Sequence, residues 1–252
     1  MKKISKFIAI GIIAYWFADF TSGLLHIYMD HIKIDLNKNT RSGWEHIAYS
    51  FQYSHHIDPH EIIKSSNIFL NPSGQELLWL FWILDQIILF TLRKYCKFSL
   101  STIYMICISF EFLALNLWTK CLLTSIGIYG FPVLVTFIAS ILLKGCDISL
   151  NTFMQTYLFF GKTSQINHCL AHMVTRHLQE KPIDHIIEPN YKILKFLQGC
   201  HLLLRPEDHC IHHEKKNVNF AIVNGWSNGV LNLLFYYIIF PLMKRYPEIF
   251  VL

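Results

Sequence analysis

The chain has 252 residues, of which 53% are apolar or aromatic and 15% are charged, and its mean hydropathy is +0.34. This composition is too apolar for an ordinary soluble domain and predicts a membrane protein. The net charge of +5 comes from scattered lysines and arginines without basic runs, so we expect a membrane surface as partner and no nucleic acid.

The first predicted membrane span covers residues 4–28, because about 20 apolar residues cross the hydrocarbon as a helix. It is longer than the core of a signal peptide and carries polar residues, so we predict a retained helix. Asp19, Gly23, His26 and Asp30 share one helix face and should point inward. For Asp19, a helix–helix hydrogen bond and a site role are both open, whereas His26, at the helix end, is a candidate ligand.

Further spans are predicted beyond a long polar segment at residues 30–75. They cover residues 76–92, 100–118 and 122–143, a more polar fifth candidate at 148–162, and a last apolar stretch at 220–243 that spans or lies flat. No linker, repeat or low-complexity tract divides the chain, and the seven cysteines form no CxxC pair. We therefore predict one domain, residues 1–252, with an all-α fold: a polytopic helical bundle in the membrane.

Thirteen of the fourteen histidines lie in two polar segments, residues 30–75 and 163–219. The predicted spans bring both segments to the same side of the membrane. That side receives thirteen lysines and arginines and the opposite side seven, so the positive-inside rule predicts a cytoplasmic histidine face. The three lysines at the N-terminus argue for the reverse orientation.

The first histidine motif consists of His55, His56, Asp58 and Pro59. Adjacent imidazoles can diverge toward two metal ions, and Asp58 can accept a ring N–H from a ligand. Proline then ends the local structure. For this motif alone, a polar loop with incidental histidines is an equal alternative.

Two further motifs lie near the C-terminus. His168 and His172 are spaced i, i+4 on one helix face, and no glutamate follows His168, so the HExxH zinc-protease pattern is absent. An HxxHH run then presents three imidazoles on adjoining turns of one helix, with His201 two turns upstream. The run comprises His209, His212 and His213.

Together these motifs supply more imidazoles than one tetrahedral zinc ion uses, and enough for two ions with open positions for a diatomic gas. The nine predicted ligands are His26, His55, His56, His168, His172, His201, His209, His212 and His213. We thus predict a histidine-rich di-metal site at the membrane face. Surface or interfacial roles are expected for His31, His46, His60, His177 and His185.

The order of these motifs resembles the plasmanylethanolamine desaturase family, also called the Kua or lipid desaturase domain family. The resemblance rests on the run at residues 18–26, the box at 55–59, the His168/His172 pair and the run at 209–213. Residues 219–226 resemble the segment that follows the last box in that family. Residues 95–145 look like an additional hairpin of two spans.

The resemblance implies an O2-dependent membrane oxidoreductase of lipid and fatty acid metabolism. It implies that a histidine-ligated di-iron centre desaturates the alkyl or acyl chain of a phospholipid. The nine histidines fall on motif histidines, and Asp30 falls on a family aspartate that is a ligand or a second-shell acceptor, so Asp30 and Asp58 are the catalytic candidates. The sequence has no GxGxxG fingerprint, so a separate cytochrome b5-like or ferredoxin-like electron donor is expected.

Other functions also fit these histidines. A di-iron lipid-chain hydroxylase uses a similar site and differs in how the carbon radical is resolved. A metal transporter or a haem-binding membrane protein would bind without O2 chemistry. Haem requires two axial ligands facing one plane and transport requires a polar path through the bilayer, whereas these histidines gather at one face.

Overall fold

The computed structural model describes most of the chain, namely residues 2–38, 41, 44–56, 75–119, 122–178 and 191–252. Within these ranges all regular elements are helices, and the β-type pairing is limited to one antiparallel bridge between Ile32 and Phe250. The predicted all-α class is therefore confirmed.

The helices follow one another with short connections between most of them. In chain order they are α1 (Lys2–His31), α2 (Trp44–Tyr49) with a π-helical turn (Ser50–His55), α3 (Gln75–Tyr95), α4 (Leu100–Thr119), α5 (Leu122–Leu142), α6 (Asp147–Lys162), α7 (Ser164–Leu178), α8 (Tyr191–Gly199), α9 (Pro206–Lys215), α10 (Asn228–Leu234) with a second π-helical turn (Phe235–Ile239), and α11 (Phe240–Arg245).

The largest apolar cluster lies where α1 packs against α6. Ala14 and Ala18 of α1 are fully buried there, and their small side chains let the two helices approach closely. Met154 and Tyr157 of α6 fill the remaining space, and α5 adds Val135. This packing holds α1 along the middle of the bundle, with its C-terminal end next to the start of α7.

Two of the described helices are long and apolar enough to cross a membrane, namely Ile4–His31 within α1 and Leu100–Leu117 within α4. A shorter apolar section, Ile128–Leu142, lies in α5. Both long helices expose large apolar side chains, such as Ile8 and Leu117, which suits contact with lipid. The other predicted crossings remain predictions.

A buried ionic cluster links α3 and α4 to the end of α6. The Lys162 Nζ atom lies 2.5 Å from Asp85 Oδ2 and 2.5 Å from Glu111 Oε1, and Tyr129 of α5 donates its hydroxyl to Glu111 at 2.6 Å. Charges buried among helices are tolerated when they pair in this way. The cluster therefore attaches the α4–α5 hairpin to the C-terminal end of α6, just before α7 begins.

The last predicted apolar helix, residues 220–243, is wrong over its first third. Residues 219–227 form an extended and turned segment, and the helix begins only at Asn228 and continues to Arg245. Phe220 and Val223 are fully buried in this segment. An extended buried backbone is stable here because side chains of neighbouring helices take up its N–H groups, as Asn228 does for Ala221 at 2.9 Å.

Candidate metal centre

Eight side chains with metal-binding atoms form two neighbouring groups around α9. The four-histidine group consists of His168, His172, His209 and His213, and the aspartate group consists of His26, Asp30, His56 and His212. Within each group, one ligand-type atom of every residue lies within 4.8 Å of those of the others. The groups adjoin, since the ring centroids of His56 and His213 are 4.9 Å apart and those of His26 and His168 are 5.4 Å apart.

In the four-histidine group, an i, i+4 pair on α7 faces an i, i+4 pair on α9. The His209 Nε2 atom lies 2.8 Å from His168 Nε2, 2.8 Å from His172 Nε2 and 3.0 Å from His213 Nε2. A neutral imidazole carries one ring proton and can donate it to one neighbour only. Nitrogens bound at right angles to an ion at about 2.1 Å would be about 3.0 Å apart, so this spacing fits ligands of one ion.

The protonation of this group also suits a metal ion. Burial lowers the pKa of His168, His209 and His213 well below the usual histidine value, and the neighbouring imidazoles lower each pKa further. These rings are therefore neutral at physiological pH. Neutral imidazole is the form that binds a cation.

In the aspartate group, α1 contributes His26 and Asp30 one turn apart. Asp30 Oδ2 lies 3.5 Å from His26 Nε2 and 3.3 Å from His212 Nε2, and Oδ1 lies 3.4 Å from His56 Nε2. The Asp30 side chain is only 5% exposed. One buried carboxylate among three imidazole nitrogens can serve as a ligand and also balance cationic charge.

Backbone carbonyl groups fix the orientation of two of these histidines. The Nδ1–H of His26 donates to the Phe220 carbonyl at 2.9 Å, and the Nδ1–H of His212 donates to the Val218 carbonyl at 2.8 Å. Because a carbonyl oxygen only accepts, the ring proton must lie on Nδ1, which leaves the Nε2 lone pair directed at Asp30 and its neighbours. Metal-binding histidines typically make such a bond with their other nitrogen.

Helix α9 supplies both groups. Its His209 and His213 lie one turn apart and join the four-histidine group, whereas His212 points to the aspartate group. The helix starts at Pro206, which has no N–H to lose at this position, and ends at Lys216 in a left-handed conformation. A short helix with defined ends therefore places the three imidazoles between two sets of partners.

The structure brings together most of the predicted site residues but not all of them. Among the described residues, His201 belongs to neither group: it is exposed, follows the end of α8 at φ 54°, and accepts an N–H from Arg205 at 3.2 Å. Asp58 and the side chain of His55 lie outside the described part of the chain. His31, for which a surface or interfacial role was expected, is buried, and its ring nitrogens hydrogen-bond to the Ile27 carbonyl and to Asn217.

Sequence reasoning missed the carbonyl groups that orient His26 and His212, because a backbone acceptor leaves no mark on residue type. An indirect sign in the sequence is the segment at residues 219–226, which is part of the family resemblance and directly follows Val218. Gln165 was also missed. Its side-chain oxygen lies 3.4 Å from His168 Nδ1, and its position three residues before His168 on α7 was the available clue.

A comparison with known proteins gives a match to a protein family. No curated protein and no solved structure matches the chain. A family model described as lipid desaturase domain matches residues 124–240, which is 117 of the 252 residues. That range contains the four-histidine group and His212, while α1 supplies His26 and Asp30 from outside it, and His56 directly follows the π-helical turn after α2. Residues 124–240 therefore match the lipid desaturase domain family.

Proposed function

We propose that the protein is a membrane-bound lipid-chain desaturase of the plasmanylethanolamine desaturase type with a di-iron centre. The observation that carries the proposal is the pair of adjoining ligand groups, one with four imidazoles and one with three imidazoles and a carboxylate. In this proposal each group holds one iron ion. When bound, the two ions would supply O2 activation, which side chains alone cannot provide.

Several features of the ligands favour iron over zinc. A structural zinc ion is held by four tetrahedral ligands, whereas the two adjoining groups together supply seven imidazoles and one carboxylate. Neither group contains a cysteine. Imidazoles with one carboxylate suit iron, and the family match is to lipid desaturases.

Apolar cavities beside the centre support a lipid chain as substrate. A cavity of about 110 Å³ is lined mainly by apolar residues such as Leu25 of α1, and the Lys162–Glu111 ion pair also lies in its wall. Gln165 of α7 lines it as well, and its side-chain oxygen lies 3.4 Å from His168 Nδ1. A separate apolar cavity of about 270 Å³ lies between α1 and α5, where Ile10 and Ile138 line it. From Ile10 to His26, α1 extends about 24 Å, a length that an alkyl chain occupying both cavities would span.

The overall reaction balances with two external reactants. A chain methylene pair loses two hydrogens, O2 accepts them together with two electrons and two protons, and two waters form. We propose that a separate cytochrome b5-like or ferredoxin-like protein delivers the electrons. The protein itself contributes neutral, buried imidazoles, a carboxylate that balances charge, and mainly apolar cavities that can take the chain.

We further propose that residues 1–252 act as one multi-pass domain with the metal centre on the cytoplasmic face. Support comes from the aspartate group, which joins α1 and α9 across the chain, and from the charge bias between the two sides of the predicted spans.

Mass spectrometry of lipids from cells that express the protein tests this function. We expect phospholipid species that have lost two hydrogens, and a vinyl ether among them would identify an ether lipid as substrate. Lipids that gain one oxygen would identify a hydroxylase instead. A strong Soret band in the purified protein would point to haem and contradict the di-iron proposal.

Two histidine variants make the experiment specific. His212→Ala removes a member of the aspartate group and should abolish the product and lower the iron content while membrane insertion is retained. His201→Ala is the matched control, because it removes a histidine that lies outside both groups. Wild-type turnover and iron content in His212→Ala would contradict the proposed site.

A further inference from the structure

Asp19 lies two turns below His26 on the same face of α1 and is fully buried. Its carboxylate accepts five hydrogen bonds from the segment at residues 223–227. Oδ1 accepts the backbone N–H groups of Val223 at 3.1 Å, Asn224 at 2.8 Å and Gly225 at 3.1 Å, and Oδ2 accepts the N–H of Ser227 at 2.9 Å and its hydroxyl at 2.7 Å.

We propose that Asp19 is a positioning residue for the metal ligands. Residues 223–227 follow shortly after Val218 and Phe220 in the chain, and the carbonyl groups of these two residues orient His212 and His26. By holding residues 223–227 in place, Asp19 sets the position and direction of these two carbonyl groups. The inference rests on the proposed function and adds a residue that belongs to neither ligand group.

Close packing carries this effect along α1. Successive residues of one α1 face meet the segment in reverse order: Asp19 binds residues 223–227, Gly23 lies against Ala221, and His26 bonds to Phe220. A Cβ atom at Gly23 would lie only 3.2 Å from the backbone N and Cα of Ala221. The segment thus packs directly on the α1 backbone between Asp19 and His26, so a displacement of residues 223–227 is passed on to Phe220.

The other end of the segment is held as well. Asn219 has φ 58°, its N–H donates to Asn232 Oδ1 at 2.8 Å, and its side-chain amide donates to the Asp208 carbonyl of α9 at 3.2 Å. At the end that Asp19 binds, the Val223 carbonyl also accepts the Leu204 N–H at 2.9 Å. Asp19 therefore completes a segment that is fixed at both ends. The Phe220 carbonyl lies between the two fixed ends, and the Val218 carbonyl directly precedes Asn219.

The geometry requires a carboxylate and not an amide at position 19. Four backbone N–H groups and one hydroxyl converge on two oxygens, and an ionised carboxylate is the side chain that only accepts. In Asp19→Asn, the oxygen can keep the bonds to Val223 and Asn224, but the amide N–H2 then faces the donors of Ser227. The substitution keeps the size of the side chain and releases one end of the segment.

Cobalt binding tests the inference without reference to turnover. The purified, metal-free protein in detergent is titrated with Co2+, and the visible ligand-field spectrum is recorded. For Asp19→Asn we expect Co2+ affinity to fall about 10 to 100-fold and the spectrum to change, as for other residues that orient metal ligands. Met154→Ala is the control, because it removes a buried side chain between α1 and α6 and should lower thermal stability with wild-type Co2+ affinity and spectrum.

A purely structural role for Asp19 predicts a different result. If Asp19→Asn melts at a lower temperature but binds Co2+ with wild-type affinity and spectrum, the inference is wrong. If Asp19→Asn cannot be recovered folded, Ser227→Ala decides: it removes only the hydroxyl donor and should weaken Co2+ binding in the same direction, and an unchanged Ser227→Ala would overturn the inference. Wild-type protein that binds Co2+ at this centre but yields no desaturated lipid would contradict the proposed function and not the role of Asp19.

Discussion

Asp30 is the carboxylate of the aspartate group, and three imidazole nitrogens lie within 3.5 Å of its oxygens. Asp30→Asn keeps the shape but removes the charge that would balance an ion. We expect iron content and lipid product to fall about 10 to 100-fold. Iron analysis and lipid mass spectrometry measure both effects.

The control for this variant is Asp35→Asn, an exposed aspartate five residues further along that bonds to the Asn37 N–H. It should be nearly silent. Small and equal effects at Asp30 and Asp35 would show that Asp30 is not part of the metal centre and that the histidines alone bind the metal.

The two glycines of α1 offer a second comparison at the level of single residues. Gly23→Ala would press a methyl group against the Leu231 side chain and the Ala221 backbone, whereas nothing lies within 4 Å of a Cβ atom at Gly11. We expect Gly23→Ala to lower the free energy of unfolding by about 1–3 kcal/mol, as overpacking does. Gly11→Ala should raise it by about 0.5–1 kcal/mol, because alanine favours the helix. Unfolding in detergent measures both changes, and a stable Gly23→Ala would show that the segment can move away from α1.

Among the elements, the helix-borne histidine pairs could be predicted from the sequence because their spacing is local. The i, i+4 pair His168 and His172 and the face of α1 with His26 and Asp30 both lie as the helix period requires. The position of His201 could not be predicted in this way. A spacing of two turns is meaningful only if one helix continues, and α8 ends at Gly199.

The partition of the α9 histidines and the extended segment at residues 219–227 also escaped prediction. Apolar residues such as Phe220 and Val223 fit a buried helix and a buried extended segment equally well. What decides between them is Asp19, whose carboxylate lies about 200 residues earlier in the chain and bonds to Val223. Contacts over such a distance in sequence are not visible in local patterns.

The ionic cluster between α3, α4 and α6 gives a prediction at the level of elements. Lys162→Met would leave the carboxylates of Asp85 and Glu111 buried without their shared cation. We expect a loss of about 3–5 kcal/mol in unfolding free energy. The control is Arg93→Met, which breaks an ion pair with Asp147 whose side chains are 49% and 55% exposed, and should cost at most about 1 kcal/mol. Similar losses for both variants would mean that the buried cluster does not fasten the helices.

For the molecule as a whole, the proposed function predicts that the two cavities along α1 and α5 limit the length of the lipid chain that the site accepts. Ala139 is buried in the wall of the farther cavity. Ala139→Trp should fill part of its roughly 270 Å³ and shift the desaturated products toward shorter chains. Lipid mass spectrometry of the products gives the distribution of chain lengths.

The control for this variant is Ile141→Trp, which adds a similar bulk two residues away on a side chain that is 56% exposed. It should leave the chain-length profile as in the wild type. An unchanged profile in Ala139→Trp would mean that the lipid chain enters by another route.

The bonds between Asp19 and Ser227 also have a consequence for biosynthesis. They join residues 208 positions apart, so at about 5–20 residues per second the ribosome needs roughly 10 to 40 seconds between making one and the other. During that interval α1 has already left the ribosome, and its carboxylate has none of the five donors that the finished protein provides. The α9 histidines are made after all other members of the two groups. A metal ion can therefore find both groups complete only after residue 213 has been synthesised, so metal binding must follow the synthesis of α9.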